Sequence, residues 1–348
     1  MSKKRIIYIH VGLSSFVMKD IQILSKIYEL KICEFNLKNK ILLPFVFLNQ
    51  LLTLLKYIKK SNGIVIQFSG YQSYIPTLLA NKFKKKCIIV LGGTDTVSFP
   101  SIKYGNFDKK FLGFVTRKSI ENADLLLPVS KTLIEYDYTY QKDDFKKQGY
   151  LFHAPNTKTK VETIYNGYKP DKWFISETKE EKSFVTIAAD LGSRFGLKLK
   201  GIDLILEIAE KFNDCKFYIV GGNKLEIKTP SNVILIKNIP HDKLPEFIAD
   251  KQFYLQLSMS EGFPNALCEG MLSGCVPIAS NTGAMPFIIG DTGYILKEKN
   301  ISYLEKIIKD SLSNYTLEKG TEARHRIISK FHFNKREKKL IKIISENL

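Results

Sequence analysis

Along the first half of the chain, short apolar runs alternate with longer segments whose apolar residues return every three or four positions. The runs are residues 5–11 (RIIYIHV), 63–69 (GIVIQFS), 86–93 (KCIIVLGG) and 123–130 (ADLLLPVS). Runs without polar interruption predict strands covered on both faces, and their alternation with helical periodicity predicts βαβ units and a parallel sheet. The pattern then restarts. Residues 183–190, 216–222, 232–238 and 252–258 are strand-like, as are 275–281 and 293–297, and 201–212 (GIDLILEIAEKF) predicts a helix. Between the two series, residues 161–183 contain Asn-Gly, Lys-Pro and a charged polar run, the composition of a linker. The pattern therefore predicts two Rossmann-like α/β domains with parallel sheets. The first covers residues 1–168, a hinge covers 169–182 and the second domain covers 183–330. A basic helix over 331–348 is expected to pack back on the first domain.

One apolar stretch, ILLPFVFLNQLLTLLKYIKK at 41–60, approaches the length of a membrane span. Asn49, Gln50, Thr53 and Lys56 interrupt it, which favours a buried amphipathic helix starting near Pro44. A helix lying on a membrane face is the alternative. A true span is disfavoured, since it would cut the first domain apart.

Charge sharpens the picture. The net charge is +18, and residues 1–170 hold 27 Lys and Arg against 12 Asp and Glu, so +15 lies in the first half. Such asymmetry points to an anionic partner: a nucleic acid, a membrane surface or an anionic substrate. The five cysteines form no C-x-x-C pair and sit in apolar runs, which suits reduced thiols and a cytoplasmic protein. The five histidines are scattered, so no metal is expected. P-loop, G-x-G-x-x-G, H-E-x-x-H and G-x-S-x-G sequences are absent.

The candidate chemistry lies at residues 258–271, SMSEGFPNALCEGM. A strand ends near Ser258, so the next residues form a loop at a carboxyl sheet edge, where open α/β sheets bind ligands. Gly262 permits a tight turn, Pro264 suits a helix start, and Asn265 suits an N-cap or first-turn position. The free amides of Asn265, Ala266 and Leu267 then make an anion site at the helix start. Glu261 lies before that site and Glu269 lies inside the helix. A nucleotide sugar, with hydroxyls on both sides of a diphosphate, could use all three elements.

SEGFPNALCEGMLSGCVPIASNTGAMPFII resembles the Glu-x7-Glu signature of retaining glycosyltransferases of the GT-B fold, family 4. LPVSKTLIEY, VETIYNGYKPDKWF, KGIDLILEIAEKF and FYIVGGN resemble further motifs of that family in the same order. The resemblance implies two Rossmann-like domains facing across a cleft. It implies that Glu261 approaches the transferred sugar, that Glu269 holds the ribose, and that the backbone of Gly262, Phe263 and Asn265 faces sugar hydroxyls. Ala266 and Leu267 amides, Lys200 and Arg194 would hold the diphosphate. Gly222 would lie in the donor site, and Gly12 would pass near donor and acceptor. Gly92 stands where the family often has a histidine, and AADLGSRFGLKLKG is longer than the usual Gly-Arg-Leu stretch.

The implied function is transfer of a sugar, with retention, from a nucleoside-diphosphate sugar to a hydroxyl of a glycan or lipid-linked acceptor, in surface polysaccharide or glycolipid synthesis. No cofactor or metal is expected. The basic first half suits peripheral attachment to an anionic inner membrane face. A basic nucleic-acid-binding protein and a non-catalytic glycosyltransferase-like partner subunit are the alternatives. A nucleotide-dependent oxidoreductase or epimerase is weakened by the missing G-x-G-x-x-G. No nucleic-acid-binding module is recognised.

Overall fold

The computed structural model describes residues 3–37, 39–188, 191–193, 195–221 and 227–348. Arg194 and Gly222 therefore lie outside the described residues. The first half builds strand β1 (Arg5–His10), helix α1 (Ser15–Ser25), β2 (Glu29–Glu34), helix α2 (Leu43–Tyr57), β3 (Gly63–Gln67) and helix α3 (Tyr71–Lys82). It continues through β4 (Lys86–Leu91), helix α4 (Lys110–Asn122), β5 (Leu125–Pro128) and the short β6 (Lys160–Val161). These strands pair in the order β2-β1-β3-β4-β5-β6. Every pairing is parallel.

The second sheet is built from β7 (Glu180–Ile187), β8 (Lys216–Val220), β9 (Val233–Ile236), β10 (Lys251–Gln256), β11 (Val276–Ser280) and β12 (Tyr294–Leu296). Its order is β9-β8-β7-β10-β11-β12. The helices used below are α5 (Ile202–Ala209), α6 (Asn265–Leu272), α7 (Leu317–Phe331) and α8 (Phe333–Asn347).

Central strands are buried on both faces, as parallel strands sandwiched by helices must be. In the second core, Phe184 of β7 is in register with Phe217 of β8 and Phe253 of β10. Their rings stack at 4.9 and 4.8 Å in nearly parallel planes, so the three central strands are locked by one aromatic column.

Two differences from the expected pattern have physical causes. Strand β2 was not anticipated, because Glu29, Lys31 and Glu34 break its apolar run; it is an edge strand with half-exposed residues. Strand β7 begins at Glu180, inside the expected hinge 169–182. There Glu180 accepts hydrogen bonds from Lys216, Lys251 and Tyr218, at 2.7 to 2.9 Å, which recruits a charged residue into the sheet. These lysines and Tyr218 outweigh burial and hold its carboxyl down at about 2.

The expectation of a buried helix over 41–60 is overturned. Helix α2 forms with Pro44 in its first turn, but Leu54 is its one buried residue. Its remaining apolar side chains are half-buried or face outward.

The chain passes between the domains at residues 166–168 and again at 331–333, and the two passages are pinned together. The Tyr168 amide donates to the Phe331 carbonyl at 2.9 Å, and the Phe333 amide donates to the Tyr168 carbonyl at 2.8 Å. Helix α8 then lies on the first domain. Arg336 donates to both carboxylate oxygens of Asp20 in α1, at 2.8 and 2.7 Å, and Tyr28 bonds Ser345 at 3.1 Å.

Candidate active site

In the second sheet the strand order reverses between β7 and β10, and in the first between β1 and β3. The carboxyl ends at such a reversal leave a crevice no connection crosses. Residues 257–264 follow β10 and occupy the crevice of the second domain. Residues Val11–Gly12 follow β1 and Phe68–Ser69 follow β3, occupying that of the first.

Gly201 sets the position of Lys200. It sits at φ +69°, and a Cβ there would lie 2.1 Å from the Leu257 carbonyl oxygen, so only glycine lets the turn before α5 press on the end of β10. The Met259 amide donates to the Leu199 carbonyl at 2.8 Å and closes the same contact. Lys200 thereby faces Glu261. Its Nζ donates to Glu261 Oε1 at 2.7 Å, and Ser258 Oγ and Gln256 Nε2 donate to the same oxygen at 2.9 and 3.2 Å. Burial alone would lower the Lys200 pKa, but the Glu261 carboxylate outweighs it and holds the ammonium above its ordinary range.

The next turn brings the domains together. A Cβ on Gly262 would lie 1.8 Å from the Gly92 carbonyl oxygen, so backbone meets backbone across the cleft. Asp95 holds the facing turn. Its carboxylate accepts from the amides of Ser69, Gly92 and Gly93 at 2.9 to 3.1 Å. Burial pushes its pKa up, opposed by those three amides. A Cβ on Gly92 would lie 1.8 Å from the Phe68 ring. Phe68, in the left-handed region at φ 65°, thus fills the space that a side chain at position 92 would need.

Helix α6 starts after Pro264, and among the described residues no side chain caps it. The amides of Asn265, Ala266 and Leu267 have no intrahelical acceptor by the geometry of a first turn. The Asn265 side chain is used elsewhere: its Oδ1 accepts from Tyr168 at 2.7 Å and from Asn166 at 3.3 Å, tying the helix start to the interdomain passage. The Phe263 ring packs against Tyr165, Tyr168 and Phe331. A cavity of about 220 Å³ remains between the domains, lined among others by Phe68, Gly92, Glu261, Gly262, Asn265 and Arg336.

Glu269 lies buried one turn into α6, 3.0 Å from His241 Nε2. The hydrogen bond to Glu269 is the main cause that raises the His241 pKa, against burial. Trp173 lies edge-on to that imidazole at 5.8 Å. Lys19 of α1 reaches the same region, donating to the Gly167 carbonyl at 3.0 Å with its ammonium over the Tyr168 ring. Burial lowers its pKa. Gly12 lies in the first-domain crevice, its amide donating to His10 Nδ1 at 3.1 Å.

Glu261, Gly262, Phe263, Asn265, Ala266, Leu267 and Lys200 therefore gather at one crevice, with Glu269 below them in α6. His241, Lys19, Phe68 and Asp95 are site residues that the sequence reading missed. Each comes from a distant segment, and no local spacing links it to the glutamates. Among the described residues, no group of three or more His, Cys, Asp or Glu is placed to hold a metal ion.

Residues 172–330 match the family model "Glycosyl transferases group 1". Over 259 residues the chain is 23% identical to the protein CapJ of Staphylococcus aureus, covering 73% of this chain but only 64% of CapJ. Among solved structures, sucrose-phosphate synthase from Thermosynechococcus elongatus superposes with a TM-score of 0.77 at 13% identity, over 99% of both chains. Anabaena HepE, solved with UDP and glucose, superposes with a TM-score of 0.69 at 11% identity, over 99% of this chain and all of that one. The fold is that of the two-domain GT-B glycosyltransferases, and residues 172–330 carry the sequence pattern of the glycosyl transferases group 1.

Proposed function

We propose that the protein transfers a sugar from a nucleoside-diphosphate sugar to a hydroxyl of a glycan or lipid-linked acceptor, with retention of configuration. The observation that carries this reading is the Lys200–Glu261 pair, held beside the uncapped start of α6 at the strand-order reversal and facing the first domain. A diphosphate entering the crevice would meet the α6 amides and compete with Glu261 for the Lys200 ammonium. The exchange frees the Glu261 carboxylate to accept hydrogen bonds from sugar hydroxyls. Lys200 and the helix start then stabilise the departing nucleoside diphosphate, a charge that grows in the transition state. Glu269, held by His241, would accept ribose hydroxyls. Arg194, outside the described residues, is a further candidate for the diphosphate.

In this reading the leaving phosphate oxygen takes the acceptor hydroxyl's proton on the face it departs from, and no protein nucleophile is assigned. The close Gly92–Gly262 approach excludes water from one side of the reacting centre, which favours transfer over hydrolysis. The two cationic elements supply the field that the diphosphate needs, so transfer is expected to survive chelation with EDTA.

Thermal unfolding against UDP, GDP and ADP tests the reading, with uridine first because HepE was solved with UDP. One nucleoside diphosphate should raise the melting temperature, since a ligand of the native state stabilises it by mass action. Glu269→Ala should weaken that rise, and Glu261→Ala should abolish transfer while keeping it. Absence of a shift with any nucleoside diphosphate overturns the proposal.

A further inference from the structure

Helix α2 is the feature that sugar transfer leaves unexplained. Phe45, Leu48 and Leu52 are 71%, 54% and 59% exposed. With Leu42 and Leu55 they recur every three or four residues, the spacing of one helix face. The apolar surface continues onto the neighbouring helices. Leu78 of α3 and Phe111 and Phe114 of α4 are exposed as well. Ring contacts link the three helices: Phe47 to Tyr71 at 6.3 Å, Tyr71 to Phe111 at 5.9 Å and Tyr74 to Phe114 at 6.3 Å. A connected apolar surface of this kind marks an interaction site.

The charge pattern says what covers it. Between Glu34 and Asp95 the chain contains nine lysines and no acidic residue. Lys56, Lys59 and Lys60 are exposed at the end of α2, and exposed Lys109 and Lys110 precede Phe111 at the start of α4. Two copies meeting through this face would set lysines against lysines. An anionic lipid leaflet complements both parts, with acyl chains for the apolar stripe and phosphates for the ammonium groups.

We propose that the α2 face seats the protein on an anionic lipid surface, the helix lying in the plane of the interface. Among the described residues no helix is long and apolar enough to cross a membrane. The ring contacts lead inward from this face. Tyr71 also lines a cavity of about 290 Å³ with Val11, Phe68, Gly92 and Leu112, beside the turn that meets Gly262. Resting on the transfer reading above, that cavity receives the head group of an acceptor carried by the lipid surface.

Sedimentation of the full chain with vesicles tests the docking. The vesicles are phosphatidylcholine alone, or equal parts phosphatidylcholine and phosphatidylglycerol, each at low and high salt. The protein should sediment with the anionic vesicles at low salt, and salt should weaken it. A Phe45→Ser/Leu52→Ser variant should lose about tenfold or more in vesicle affinity. Lys59→Gln/Lys60→Gln should lose about fivefold for each charge removed. These side chains are exposed and outside the cleft, so both variants should keep the parent melting temperature and its nucleotide shift. Failure of the parent to bind anionic vesicles at low salt overturns the proposal, as does parent-like binding by Phe45→Ser/Leu52→Ser. A dimer in light scattering that this variant dissolves would reassign the face to self-association and also overturn it. Vesicle binding without any nucleotide shift would count against the transfer reading alone.

Discussion

Two ion pairs each lend one member, Glu261 and Arg336, to the lining of the same interdomain cavity, and they are built oppositely. Asp20 and Arg336 are 1% and 3% exposed at their side chains. Both carboxylate oxygens are engaged, Oδ2 also accepting from Gln67 at 2.8 Å, and the guanidinium donates further to the carbonyls of Ile164 and Tyr165. Glu261 and Lys200 are 14% and 26% exposed, and the three described donors all converge on Oε1. A pair this deeply buried and fully hydrogen-bonded cannot readily trade partners, because separating it leaves a charge in a low dielectric. A pair that water can reach is free to exchange one partner for a ligand. Burial thus separates a fastening from a pair open to a ligand, although both are a carboxylate and a cation at 2.7 Å.

The largest effect should come from the sealed pair. Arg336→Leu leaves the Asp20 carboxylate buried without its cation and should cost about 3–5 kcal/mol of stability. Denaturant unfolding should show it, and Asp20→Asn in the same chain should recover much of the loss. If Arg336→Leu unfolded at the parent midpoint, the fastening role would be lost. The open pair should respond the other way round. Lys200→Ala should barely move the unfolding midpoint, yet lower kcat/KM for sugar transfer by about 10²–10³, the usual cost of removing one preorganised charge donor. A variant that unfolded like Arg336→Leu while keeping its turnover would erase the contrast.

Gly92→Ala sharpens the comparison from the first-domain side. Its new methyl would overlap the Phe68 ring, so a loss of about 1–3 kcal/mol is expected, typical of overpacking. Phe68→Ala in the same chain should restore part of it, a non-additivity that neighbours in contact show and distant sites do not. Strict additivity in the thermal midpoints would deny that the ring occupies the space in front of Gly92.

What the sequence disclosed follows the range of each interaction. The stretch from Glu261 to Glu269 was legible because a strand end, a glycine turn and a helix start are set by neighbours in the chain. The two sheets were legible because apolar strands flanked by helices admit few arrangements. His241 was not, since it meets Glu269 from 28 residues away and a lone histidine carries no pattern. Phe68 needed the coordinates, because only the fold brings its ring over Gly92. Helix α2 is the instructive failure. Periodicity correctly showed that its apolar residues share a face, but a face has the same spacing whether protein covers it or not. The Asp20–Arg336 pair was invisible for the same reason as His241, its partners being 316 residues apart.

The smallest effect tests the other glutamate. His241 sits at the edge of the site, and Glu269 raises its pKa chiefly through their hydrogen bond. A group whose pKa is higher folded than unfolded binds its proton more tightly in the native state, so it stabilises the fold only while protonated. The contribution is full below the unfolded histidine value of about 6.5 and fades as pH rises through the higher folded value. His241→Gln can keep a hydrogen bond to Glu269 but carries no charge. The parent should therefore melt above the variant at acidic pH, by no more than about 1 kcal/mol because the imidazole's open side screens the pair. The gap should close towards pH 8. Donor affinity should follow the same curve if the charged imidazole fixes the Glu269 carboxylate for the ribose. A gap that stayed constant from pH 5 to 8 would mean that the imidazole acts by packing on Trp173, and Glu269 would then join Asp20 among the carboxylates whose partners are fixed.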